Sequence, residues 1–95
     1  MERATLLAIV KATPGVTADK AGRFTVDSEY RVSLYLGKPG AAMELDRVEA
    51  IVLNEEFCRV LAGPGPTHYF LAYDAVHALS ALPPEVDSRR SAGFS

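Results

Sequence analysis

The segment 23–36 constrains this chain more than any other. Phe24, Val26, Ser28, Tyr30, Val32, Leu34 and Leu36 alternate with Thr25, Asp27, Glu29, Arg31, Ser33 and Tyr35, a period of two held over thirteen positions. Successive side chains of a strand point to opposite faces, so extended backbone sorts these residues onto two sides. A helix would scatter the same residues around its circumference. β-Branched and aromatic residues, which suit a half-buried pleated surface, are enriched here. Asp27-Ser28 offers a bend, or a split into a hairpin, that keeps the phase, and Lys38-Pro39-Gly40 ends the run with a turn. The segment predicts a strand, with Tyr35 partly exposed on the side opposite Phe24 and Leu34.

The neighbouring segments are read against that strand. Residues 2–12, ERATLLAIVKA, predict a helix with Leu6, Ile9, Val10 and Thr13 on one face, although Leu6, Leu7, Ile9 and Val10 also suit a strand buried on both sides. Pro14-Gly15 stops the element. Residues 41–53 fit two descriptions. One is a helix with Leu45, Val48 and Val52 on one face; the other is a strand over 41–45, a tight Asp46-Arg47 turn and a strand over 48–53. Asn54-Glu55-Glu56 predicts a turn, 57–61 a strand, Gly63-Pro64-Gly65-Pro66 a hairpin loop and 67–73 another strand. Asp74 is placed to cap a short helical turn. Pro83-Pro84 closes the ordered part, and the small polar residues of 85–95 predict a flexible tail.

Composition narrows the class. The chain has 95 residues, 48% apolar and 23% charged, with a net charge of -2. That is a single globular domain, and its charge gives no general affinity for phosphate backbones. A lone cysteine, Cys58, excludes an internal disulfide, and the apolar run 6–10 is too short to span a bilayer and lacks the basic leader and small-residue cleavage site of a secretory signal. A cytoplasmic protein without membrane contact is expected. The fold class expected is α+β, mainly β: a small antiparallel barrel-like sheet over 1–84, with an N-terminal helix and a flexible C-terminal tail over 85–95.

Two segments resemble each other at an offset of 28 residues. Leu45-Asp46-Arg47-Val48-Glu49-Ala50-Ile51 aligns with Tyr73-Asp74-Ala75-Val76-His77-Ala78-Leu79, sharing Asp, Val and Ala. Chance similarity between amphipathic stretches is one explanation. The other is a corner used twice: a strand delivers an apolar side chain, Asp caps one helical turn, Val packs inward, and a new strand leaves. The second favours strand–turn–strand over 41–53.

Residues 69–84, YFLAYDAVHALSALPP, resemble the apolar-x-apolar-Asp-x-Val segment and Leu-Pro exit of CheW-like chemotaxis adaptor domains, and 32–53 are similar to the same pattern with its preceding strand. The resemblance covers less than half of the chain and implies small β-barrels that bind kinases and receptors without catalysis. Residues 71–76 also resemble the last strands of Sm-like RNA-binding barrels, but Asp74-Ala75 stands where a Lys-His pair belongs. AIVKATPGVTADKAGRF is similar to the first two helices of winged-helix regulators. That family needs a basic recognition helix next, and the segment found there has strand periodicity and a single basic residue, Arg31.

Candidate chemistry is sparse. Cys58 lies inside a predicted strand, with His68 and His77 as the bases a nucleophilic cysteine would need, but no flanking motif supports a small enzyme over a buried thiol. No metal-ligand spacing and no phosphate-binding glycine loop is present, so neither catalytic residues, metal nor cofactor is expected. Glu44, Asp46, Glu49, Glu55 and Glu56 crowd one segment against the single base Arg47, an acidic surface suited to a basic partner. Tyr30, Tyr35, Tyr69 and Tyr73, with Phe70, supply aromatic surface of the kind enriched at protein contacts. The function expected is a bacterial protein-interaction or adaptor module with a protein partner or a second copy of itself. A nucleic-acid-binding regulator of Sm-like or winged-helix type, and a small enzyme using Cys58, are the alternatives.

Overall fold

The computed structural model describes residues 1–38 and 43–84; the tail expected over 85–95 lies outside them, as do residues 39–42 of the expected turn and strand. The chain begins with helix α1 (Arg3–Ala12), whose buried Leu6 and Val10 lie on the face expected from their spacing. Thr13 ends it, its hydroxyl bonding back to the Ile9 carbonyl at 2.7 Å, before Pro14 forbids another turn.

Among the described residues eight strands follow: β1 (Val16–Ala18), β2 (Arg23–Val26), β3 (Arg31–Leu36), β4 (Met43–Leu45), β5 (Val48–Leu53), β6 (Phe57–Ala62), β7 (Thr67–Ala72) and β8 (Val76–Leu82). They form a larger sheet in the order β1-β2-β5-β6-β7 and a smaller one in the order β4-β3-β8, with every pairing antiparallel. The protein is therefore mainly β with one N-terminal helix. The two sheets do not close into one barrel. Instead the segments 23–36, 43–53 and 67–82 each begin in one sheet and end in the other, which gives the barrel-like form.

The expected long strand over 23–36 is corrected to two strands in different sheets. Asp27 causes the break: its Oδ1 accepts the Glu29 amide at 3.0 Å and its carbonyl accepts the Tyr30 amide at 3.0 Å, a turn that competes with the ladder. Alternation continues through the turn, which hid the change of sheet. Strand β1 was not expected at all. It excludes the second helix that the winged-helix resemblance requires, because Val16–Ala18 pairs with β2.

Residues 43–53 are strand–turn–strand rather than helix. Both copies of the repeat are corners where the chain changes sheet, from β4 to β5 and from β7 to β8. Leu45 and Tyr73 enter the two corners buried, and Val48 and Val76 leave them buried. The corners differ in detail. Arg47 makes the first with a left-handed backbone, φ 56°. A 3₁₀ turn, Tyr73–Ala75, makes the second. Asp74 is corrected as a cap: the turn starts from Ala72 and has no side-chain cap.

The core lies between the sheets, where Val32, Leu34, Ile51, Val60 and Val76 from the strands meet Leu6 and Val10 from the helix.

Candidate protein-interaction surface

The outward side chains of the smaller sheet gather several of the expected residues. Tyr35 faces Glu44 across β3 and β4, and Ser33 faces Ser80 across β3 and β8. The Tyr35 hydroxyl and the Ser80 hydroxyl are 3.2 Å apart. Asp46, just beyond β4, completes this surface.

Asp46 is held from three directions. Arg31 grips both carboxylate oxygens, with Nε at 3.0 Å from Oδ1 and the terminal nitrogen on Oδ2. The Ser33 hydroxyl donates to Oδ1 at 3.0 Å, and the Arg47 amide donates to it at 2.9 Å. The Arg31 hydrogen bonds, aided by Ser33 and Arg47, hold the carboxyl well below the usual aspartate range. Its charge is therefore answered inside the chain, and Asp46 orders the corner more than it attracts a partner.

The sign of the pH effect follows. A carboxyl whose folded value is depressed contributes stability above its unfolded value of about 3.9, and that contribution is lost as pH falls through the folded value. The thermal midpoint of the wild type should therefore drop more steeply than that of Asp46→Asn as pH is lowered from 5 towards 2. Parallel curves from calorimetry would show that the pair contributes nothing.

Three hollows meet at this corner. Tyr30 and Glu49 flank one of about 470 Å³ with Arg31, Arg47 and Pro64. Glu44 and Tyr69 flank a second of about 390 Å³, against Pro64. A third of about 390 Å³ lies over Tyr35, Glu44 and Ser80. Six of the nine expected residues, Tyr30, Tyr35, Glu44, Asp46, Glu49 and Tyr69, thus surround one corner of the molecule.

The other three are elsewhere. Glu55 and Glu56 are exposed in the β5–β6 turn, at the opposite end of β5 from Glu49. Tyr73 is buried, and its hydroxyl donates to the Asn54 carbonyl, which also accepts Arg3 Nε at 3.1 Å. Burial pushes its phenol up. Tyr73 is corrected from a surface aromatic to a residue that ties the second corner to the β5–β6 turn.

Cys58 points into the core and is fully buried, opposite Leu53 and Leu71. Burial pushes its thiol up, away from the reactive thiolate. His68 lies on the outward side of the same sheet and His77 is exposed on β8, while Cys58 is buried, so neither histidine is placed beside the thiol as a base. Among the described residues no group of three or more His, Cys, Asp or Glu side chains is placed to hold a metal ion. No helix among them is long and apolar enough to cross a membrane.

A second surface lies outside the expected set: the outward side of the larger sheet. Register brings Arg23, Val52, Arg59 and Phe70 into one row across β2, β5, β6 and β7. Phe57 and Phe70 touch on it, with ring centroids 6.2 Å apart and planes tilted by 48°. They are 41% and 66% exposed. The alternation of Phe57, Arg59 and Leu61 with Cys58, Val60 and Ala62 carried this signal in the sequence. Comparison with protein-family models, curated proteins and solved structures gives no match to this chain.

Proposed function

We propose that the chain is a non-catalytic protein-interaction module, an adaptor or regulatory domain of the bacterial cytoplasm that acts through its sheet surfaces and edges. The observation that carries this reading is the Phe57–Phe70 pair, two solvated rings on the outside of a sheet with Arg59 beside them. Aromatic residues and arginine are enriched where proteins meet, because rings bury large area with few rotatable bonds and a guanidinium offers several hydrogen-bond donors. The resemblance of 32–53 and 69–84 to CheW-like domains, which act by binding kinases and receptors, supports the same reading.

Among the described residues strands β7 and β8 each have a neighbour on one side only, so the proposal extends to pairing with a second copy. Light scattering should then give a mass above the monomer at high concentration; a strict monomer would remove that extension.

The test is affinity capture from the native host with two baits, wild type and the Phe57→Ala/Phe70→Ala double variant. Both substitutions are at exposed positions, and equal melting curves would verify the fold. Proteins enriched about tenfold or more on the wild type over the variant are expected, matching a loss of about 1.4 kcal/mol. A kinase or receptor among them would support an adaptor role. Identical captures on both baits, or nucleic acid alone, would overturn the reading.

A further inference from the structure

We infer that the outer face of the larger sheet docks an acidic, aromatic-bearing segment of a partner protein, laid across the strands. This rests on the interaction reading above and supplies the partner's chemistry, which is opposite in charge to the basic partner expected from the acidic segment 44–56.

Charge placement carries the inference. The chain has a net charge of -2. Yet the outward positions of the larger sheet carry Arg23, Arg59 and His68 among Thr25, Val52, Phe57, Leu61 and Phe70, and the carboxylates stand at its margins: Asp19, whose Oδ1 accepts the Arg23 amide at 2.9 Å, and the exposed Glu49 at the irregular start of β5. Arg23, Val52, Arg59, Leu61 and His68 line one shallow depression there. Among the described residues neither guanidinium is ion-paired; the ion pair present is Arg31–Asp46, on the smaller sheet. Arg59 beside the exposed aromatic rings, with Arg23 further along the same row, therefore suits an anionic, apolar ligand.

The register gives the ligand's spacing. Arg23 and Arg59 both pair with Val52, from opposite sides, so they stand two strands apart, roughly 10 Å. A peptide in the polyproline II conformation rises about 9 Å over three residues, one full turn, so side chains at that spacing return to the same face. The ligand thus carries acidic side chains about three positions apart, with an aromatic or large apolar residue just beyond, over Phe70.

A nucleic-acid strand suits this face less well. It would present a phosphate at every step to only two guanidiniums. Glu49 lies at one end of the face, and Glu55 and Glu56 at the other, where a longer strand would meet like charge. The tilt of Phe57 against Phe70 also leaves the rings packed on each other, unlike the parallel platforms on which bases stack.

The test selects peptides from a phage-displayed library of random dodecapeptides on the wild-type chain. Selected sequences are titrated by fluorescence anisotropy against wild type, Arg23→Ala/Arg59→Ala and Phe57→Ala/Phe70→Ala; labelled oligo(dT) and oligo(U) are titrated alongside. The expected result is enrichment of acidic, aromatic-bearing sequences whose affinity falls about tenfold or more with either double variant. Selected peptides that are basic or neutral, or acidic ones indifferent to both variants, would overturn the inference and leave the interaction reading standing. No selected peptide together with tight oligonucleotide binding would overturn both.

Discussion

Replacing Leu6 with alanine should destabilise the domain by about 3 kcal/mol, because a fully buried side chain would leave a cavity between the helix and the sheets. For a domain of this size that is a fall in thermal midpoint of roughly 12–24 °C. Lys11→Ala, on the exposed side of the same helix, should stay within about 0.5 kcal/mol of wild type. The contrast matters because α1 is short and makes few hydrogen bonds to the sheets. Arg3 reaches the carbonyls of Leu53 and Asn54, at 3.4 Å and 3.1 Å, the Met1 ammonium just before the helix donates to the carbonyls of Tyr73 and Val76 at 2.8 Å and 2.7 Å, and the buried face of the helix itself packs through apolar side chains. Equal melting curves for the two variants would mean that α1 is not part of the cooperative unit. Thermal unfolding followed by circular dichroism decides the matter.

The second large effect is expected at Gly15. Its φ is +81°, a conformation that costs an L-residue about 1–2 kcal/mol. Space is also lacking: a β-carbon there would lie 2.3 Å from the Tyr30 ring. Gly15→Ala must therefore displace Tyr30, adding an overpacking cost of about 1–3 kcal/mol. The two costs separate in a cycle. Tyr30→Ala removes the obstruction, so the double variant should be more stable than the sum of the single changes predicts, leaving only the backbone cost. Strict additivity in urea denaturation would refute the contact. Because Tyr30 flanks the 470 Å³ hollow, the same variant should also reshape that corner.

Much of this architecture was legible in short-range signals. The helix, the Asn54-Glu55-Glu56 turn, the Gly63–Pro66 hairpin loop and strands β6 and β7 each rest on local periodicity or turn chemistry, and each is present. What escaped depends on distant parts of the chain. Strand β1 has three residues between two turns, too few to display a period, and its strand character comes from pairing with β2. The sheet change at Asp27 left no mark because Tyr30 stays in phase with Phe24 and Val32. Tyr73 read as an exposed aromatic because its burial depends on the Asn54 carbonyl, nineteen positions away. Asp46 read as a free anion for the same kind of reason: Arg31, fifteen positions earlier, reaches it only once β3 and β4 have paired. The row Arg23–Val52–Arg59–Phe70 could not be assembled at all without knowing the register of four strands.

The pairing of β3 with β8 has a consequence for how the protein is made. Tyr35 and Ser80, which face each other across that seam, are 45 residues apart. On a ribosome, β3 emerges with β4 soon to follow, but its other flank waits for nearly the last part of the described chain. Contacts so distant in sequence are slow to form, and until they do the flank of β3 is an open template for strands of other nascent chains. Once β8 has paired, that flank is covered, so the period of greatest vulnerability to aggregation falls before β8 arrives. Faster translation of residues 76–82 would shorten it.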